Sequence, residues 1–362
     1  MTGPKHARRP VEAQDLYDLH LITDVRIAPD GQQVVYGVQR VDRTSQKKYA
    51  NLWLARTDGS SCRQFTQGDQ TDAMPRWSPD GTKLAFLSSR KEGESAQVYL
   101  INVDGGEARR LTDLKGDIGN MTWAPDGGSL LVEFTKKDQE AIERESDEQK
   151  KKLGIVSRHY TRLFYRADGQ GWLGHERTHL LLVDSTTGAP RQLTSGDMYD
   201  EYNASWSPDG SSVVFCSNRR PDPDLEPDLV DLYTIPVSGG EMRRVDTPSG
   251  PKGMPVFSPD GKWIAYIGPR DPNEWWQNVE LWIVPSDGTT PARSLTRVYD
   301  ISLTSSTLND VGSGEQMKPL WSADGKVLYF QISEHGCTKL MAVSVEDGAG
   351  QHAALGAVVQ VG

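Results

Sequence analysis

The stretch WSPDGTKLAFLSSR (77–90) decides the fold. Its first five residues are turn chemistry. Proline presets φ for the first central position, aspartate suits the second, and glycine accepts the left-handed conformation that closes a hairpin with a bulge. The apolar run after the turn is a strand signal. The same pattern recurs as IAPDG (27–31), WAPDG (123–127), WSPDG (206–210), FSPDG (257–261) and WSADG (321–325). Each copy leads into an apolar run such as VVYGV, SLLVEF, SVVFCS or WIAYIG. Successive glycines lie 50, 46, 83, 51 and 64 residues apart. The Trp or Phe usually found two residues before the proline is placed to end the incoming strand and pack between neighbouring sheets.

A second hairpin follows in every repeat. QVYLINVDGGEARRLT (97–112) reads as strand, DGG turn, strand. Its counterparts are NLWLARTDGSSCRQFT (51–66), HLLLVDSTTGAPRQLT (179–194), DLYTIPVSGGEMRRVD (231–246) and ELWIVPSDGTTPARSLT (280–296), with a weaker KLMAVSVEDGAGQ (339–351). Four strands in each unit of about 40 to 50 residues predict β-propeller blades. A β-sandwich with accidental turn similarity is disfavoured by six aligned copies of two different turns. The fold class is therefore all-β, a β-propeller with six recognisable four-stranded blades over residues 23–362, entered through a lead-in segment, 1–22. In that lead-in, PVEAQDLYDLHL (10–21) predicts a short helix with Leu16 and Leu19 on one side. The first and third turns of an antiparallel blade share one rim. The second loops and the blade-to-blade connections share the other, where loops are long: 41–51, 135–178, 219–228 and 268–278.

Composition narrows the function classes. A net charge of −10 over 362 residues argues against a nucleic-acid or anionic-membrane surface. No run reaches the roughly 18 to 20 apolar residues that span a bilayer. MTGPKHARRPVEAQ has basic residues but no apolar segment after them, unlike a secretory signal. Cys62, Cys216 and Cys337 are widely separated and in no metal spacing, as expected of isolated thiols in a cytoplasmic protein.

HERTH (175–179) spells H-E-x-x-H, the signature of zinc proteases when it lies on a helix. The repeat places it elsewhere. Aligning VDSTTG (183–188) with VDGGEA (103–108) sets His179 against Tyr99, in a third strand, and leaves His175 in the preceding loop. Residues four apart on a strand lie about 13 Å apart, against about 6 Å on a helix. No metal site and no cofactor are expected.

The long third interval holds an insertion, 135–178. Its first part, KKDQEAIERESDEQKKK (136–152), is almost all charge, with helix-compatible pairs Glu140–Arg144 and Glu148–Lys152. Lacking an apolar face, it reads as a solvated helix or an irregular loop. Its second part, VSRHYTRLFYRADGQGWLGHERTHLLLVD (156–184), mixes arginines with aromatic rings. This segment, the AQDLYDLHLITDVRIAPDG opening and the WSPDGTKLAFLSSR…DGGEARRLT blade resemble the propeller of the prolyl oligopeptidase family of serine peptidases, in the acylaminoacyl and dipeptidyl peptidase branch. The likeness covers essentially the whole chain. SPDG blades also occur in TolB-like propellers, so 156–184 discriminates best.

The resemblance implies a seven-bladed ring joined to a C-terminal α/β-hydrolase domain, whose serine sits in a G-x-S-x-G elbow. No G-x-S-x-G occurs here; the nearest string is GSGEQ (312–316). The expectation is a non-catalytic propeller, with the hydrolase domain absent from this chain, gating access of short peptides to that domain. Arg162, Tyr165 and Arg166 are the candidates to face substrate. Expected partners are the chain's own hydrolase domain and short peptides, with a possible homo-oligomer, and neither nucleic acid nor membrane. The alternative is a free-standing TolB-like propeller that binds a protein partner.

Overall fold

The structure, a computed structural model, describes residues 9–90, 95–168, 171–271, 276–304 and 316–345. The six turn repeats become six antiparallel sheets with strands in sequence order, each a propeller blade. The chain divides into two compact units, Met1–Arg110 and Leu111–Gly362.

The first unit holds two blades. Blade one comprises Leu21–Ile27, Gln33–Val41, Lys48–Arg56 and Cys62–Gln64; blade two comprises Asp72–Trp77, Lys83–Ser88, Gln97–Asn102 and Arg109–Arg110. Val35, Leu52 and Leu54 of blade one pack on Leu84, Phe86 and Ile101 of blade two. Among its described residues the lead-in forms a 3₁₀ turn, Ala13–Tyr17, with Leu16 and Leu19 exposed. Arg43 holds it, stacking on Tyr17 and pairing with Asp18 at 2.9 Å.

The second unit holds four blades. Blade three comprises Gly116–Trp123, Ser129–Lys136, Thr178–Asp184 and Pro190–Gln192. Blade four comprises Tyr202–Trp206, Ser212–Ser217, Asp231–Pro236 and Arg243–Arg244. Blade five comprises Gly253–Phe257, Trp263–Gly268, Glu280–Pro285 and Arg293–Ser294. Blade six shows Leu320–Trp321, Val327–Glu334 and Cys337–Ser344; its expected fourth strand, like most of GSGEQ, lies outside the described residues.

The turn chemistry operates as the sequence requires. Gly31, Gly81, Gly127, Gly210, Gly261 and Gly325 all have φ between 69° and 72°. In blade two the Ser78 hydroxyl donates to Asp80 and accepts from the Lys83 amide at 2.9 Å, while Asp80 accepts from the Thr82 amide at 3.0 Å. Ser207–Asp209, Ser258–Asp260 and Ser322–Asp324 repeat this knot. The turns also touch one another. A Cβ on Gly81 would lie 3.7 Å from Pro29, and one on Gly210 would lie 3.5 Å from Pro125. Gly261 rests on Pro208 and Gly325 on Pro259 in the same way. The tryptophans point backwards as well. The Trp77 indole donates to the Arg26 carbonyl at 3.0 Å, and Trp206 and Trp321 reach Thr122 and Val256.

Both DG turns of a blade share a rim: Thr57 bonds the Gly31 carbonyl, Ser185 that of Gly127 and Ser286 that of Gly261. Two sequence expectations need correction. The 41–51 segment is shorter as a loop than expected, its connection limited to 42–47, because Gln33–Val41 and Lys48–Arg56 pair along their whole length. In blade three, Ser129 pairs with Asp184 where blade two pairs Lys83 with Asn102. His179 therefore corresponds to Gln97, not Tyr99. The shared Val-Asp dipeptides lie two residues out of phase with the ladders.

Candidate functional site

The rim opposite the DG turns carries the long loops of the second unit. The insertion leaves blade three after Lys136 and returns at Thr178. It opens with two short helices, α1 (Gln139–Ser146) and α2 (Glu148–Leu153). Asp138 caps the first through the Ala141 amide, and Asp147 caps the second through Gln149 and Lys150. Arg144 lies 3.9 Å from Glu140, one turn away. Neither helix buries a residue, so both are solvated as their charge pattern requires.

The returning arm is built around two anchors. The Arg162 guanidinium grips Asp224 of the 218–230 loop, with Nε to Oδ2 at 3.2 Å and NH2 to Oδ1 at 2.8 Å. The Phe164 amide donates to the same carboxylate at 3.2 Å. Burial alone would raise the Asp224 pKa, but Arg162 and the Phe164 amide outweigh it and hold the carboxyl below its ordinary range. The second anchor is aromatic. Tyr160, Tyr165 and Trp172 pack with ring centroids 5.4 to 6.0 Å apart. Arg158 and Arg166 lie over Trp172 at 5.3 and 5.4 Å. Tyr165 and Arg166 thus meet around Trp172, whereas Arg162 is engaged with Asp224. Leu163, Phe164, Tyr165 and Trp172 are all exposed beside them. On blade five's second loop Trp276 is exposed, and Trp275 falls outside the described residues.

Each unit, taken by itself, also holds buried carboxylates paired with cations, which the sequence reading missed. Asp72 lies 3.7 Å from Arg90 in the first unit. In the second, Glu201 is shared by His179, Thr194 and Arg219. Asp231 takes Arg244 at 2.8 Å, Lys252 at 3.5 Å and Arg220 at 3.7 Å. Glu280 takes Arg270 at 3.2 Å and Arg297 at 3.6 Å. The repeated signals were present. Asn51, Gln97, His179, Asp231 and Glu280 occupy one ladder position. The threonines of QFT, RLT, QLT and SLT (Thr66, Thr112, Thr194, Thr296) are all buried.

HERTH is loop, then strand. His175 precedes the strand and contacts Thr161, and both ring nitrogens of His179 are occupied within the protein. Among the described residues no group of three or more His, Cys, Asp or Glu is arranged to hold a metal ion. A cavity of about 340 Å³ opens on this rim at blade five, lined by Arg270, Asn278, Glu280, Arg297, Tyr299 and Asp300. A larger one, about 730 Å³, lies at the opposite, DG-turn end between blades four and five. Its Asp209 and Asp260 are occupied in their own turn knots, and the smaller cavity's Glu280 is paired with Arg270 and Arg297. No helix among the described residues is long and apolar enough to cross a membrane.

Comparison with known proteins agrees with this geometry. The pattern of the TolB β-propeller domain matches residues 23–161. The uncharacterized peptidase YuxL of Bacillus subtilis is 30% identical over 343 residues, covering 94% of this chain and 51% of that protein. Dipeptidyl-peptidase 5 of Porphyromonas gingivalis is 28% identical, covering 91% of this chain and 47% of that protein. The chain thus spans about half the length of both relatives. The Pyrococcus horikoshii acylaminoacyl peptidase superposes on 91% of this chain and 46% of its own with a TM-score of 0.65 at 18% identity, a likeness of fold.

Proposed function

We propose that this β-propeller, which matches the TolB pattern over residues 23–161 and resembles the peptidases YuxL and dipeptidyl-peptidase 5 over about half their length, is the non-catalytic propeller of a serine peptidase of the prolyl oligopeptidase kind. In this reading it gates the approach of short peptides to a hydrolase domain outside this chain. The observation that carries the reading is the asymmetry of the two rims. One is a set of tight, self-satisfied turns. The other bears the insertion and the 218–230 loop, with exposed aromatic and arginine side chains. Loops of this kind on a rigid scaffold are where recognition groups belong. Tyr165 and Arg166 then meet a peptide side chain or carboxylate, and Arg162 sets their position through Asp224. The protein is cytoplasmic in this proposal, with its own hydrolase domain as principal partner.

The test uses the longest natural polypeptide that contains this chain. Turnover of a short chromogenic peptide is compared with that of a folded protein, before and after removal of residues 138–172. Gating requires the deletion to raise protein cleavage relative to peptide cleavage. An unchanged ratio rejects it. The second reading, a free-standing propeller that binds a protein partner, rests on the TolB domain match. A polypeptide that neither turns over such substrates nor reacts with a fluorophosphonate probe would favour it.

A further inference from the structure

His179 begins the strand that brings the insertion back into blade three, and its ring is enclosed by acceptors. Nδ1 lies 2.7 Å from Glu201 Oε2, and Nε2 lies 2.8 Å from the Gly196 carbonyl oxygen. Both oxygens of Glu201 accept hydrogen bonds from other groups as well. The Thr194 hydroxyl accepts from the Leu180 amide, so its own hydrogen goes to Glu201, and Arg219 donates to the other oxygen. A neutral imidazole has one N–H and one lone pair and satisfies only one of two acceptors. Both contacts are met only by the doubly protonated ring.

The two contacts grip one connection at two points. Glu201 leads into blade four, and Gly196 sits in the connection from blade three to blade four. That connection also fixes the root of the insertion. The Thr178 amide donates to Asp200 at 2.8 Å, and Arg177 donates to the Asp197 carbonyl at 3.3 Å and faces Asp200 at 3.8 Å. The charged groups around His179 are Glu201 and Asp200 from the connection, with Arg219 of the 218–230 loop reaching Glu201 and Arg177 reaching Asp200. Its partner across the ladder, Phe134, is uncharged.

We propose that His179 is a pH-operated latch: as an imidazolium it pins the 195–201 connection to blade three and so fixes the root of the insertion, and as a neutral ring it releases the Gly196 carbonyl and loosens that root. On deprotonation the remaining N–H stays with Glu201, whose two oxygens accept other donors too, and Nε2 turns a lone pair towards a carbonyl oxygen. Burial lowers the pKa of His179, but the hydrogen bond and charge of Glu201, with the Gly196 carbonyl, outweigh it and raise the group above its ordinary 6.5. The latch is therefore closed below about 6.5 and opens as pH rises through the elevated value. The inference does not depend on what meets the rim.

Two measurements on the whole chain test it. Ring ¹⁵N shifts of His179 should show both nitrogens protonated at pH 6, with one proton lost above the ordinary imidazole range. Amide hydrogen exchange, corrected for the intrinsic pH dependence, should show protection over 195–201 falling about tenfold for each pH unit by which the folded value exceeds the ordinary one. Residues 296–303, the corresponding connection after blade five, should show no such change. His179→Gln places at this site the residue that blade two already uses, Gln97, and should abolish the pH dependence. A His179 ring with one unprotonated nitrogen at pH 6 would overturn the proposal, even if the variant failed to fold. Protection independent of pH, or a pH dependence that survives in His179→Gln, would overturn it too.

Discussion

Gly210 shows what a single position contributes. At φ 69° it occupies the left-handed region, and the space where a Cβ would go lies 3.5 Å from Pro125 of the preceding blade. Gly210→Ala should cost about 1–2 kcal/mol, from the conformation alone, read as a lower urea midpoint at unchanged slope. The aspartates of the same knots make a second prediction. Hydroxyl and amide donors hold Asp80 and Asp209 at a pKa of about 2, below the ordinary 3.8. A depressed folded value means that their contribution is complete above about 4 and is lost as pH falls towards 2. Acid unfolding should therefore begin in that window, and Asp209→Asn should flatten stability against pH there. The cysteines differ by burial. Cys216 is buried and pushed up to about 12, while Cys62 and Cys337 are exposed. A thiol reagent at neutral pH should label Cys62 and Cys337 in the native protein and reach Cys216 only on unfolding. Labelling of Cys216 at the same rate would contradict its placement.

At the scale of elements, the insertion depends on Arg162 and Asp224, whose side chains are 20% and 11% exposed. Arg162→Ala leaves a largely buried carboxylate with one backbone donor. It should speed proteolytic nicking at the lysines of α2 several-fold, with little change in global melting. Equal rates in mutant and parent would remove this anchor from the account. The blades themselves were legible in sequence because their turns are local chemistry: Pro, Asp and Gly act within four residues of one another. The register of blade three was not. Val-Asp occurs in both hairpins, and the better anchor was the fourth strand, where Arg109 and Arg191 hold equivalent places. The buried carboxylates were hidden for a different reason. His179 meets Glu201, 22 residues on, and Glu201 meets Arg219, a further 18. No spacing rule joins them before the strands are paired. The site residues were legible as types, an Arg and aromatic mixture, but Arg162's bond to Asp224 was not.

At the scale of the molecule, the blades that begin and end the described residues both expose large apolar side chains. In the first, Ile22, Val25 and Ile27 of blade one are exposed; in the second, Leu320, Tyr329 and Leu340 of blade six are. Contiguous exposed apolar surface promotes association. The isolated chain should self-associate in sedimentation, and Tyr329→Lys with Leu340→Lys should reduce it. A monodisperse parent at the same concentration would refute this. The backward direction of the turn contacts has a further consequence. Gly81 and Trp77 lean on blade one, Gly210 and Trp206 on blade three, Gly261 on blade four, and Gly325 and Trp321 on blade five. In each of these pairs the later blade needs the earlier one, and the earlier blade emerges from the ribosome first. Synthesis at the ribosome thus supplies every dock before its cargo. A chain released whole from denaturant has no such schedule, and should refold more slowly and with more aggregation than one folding as it is made.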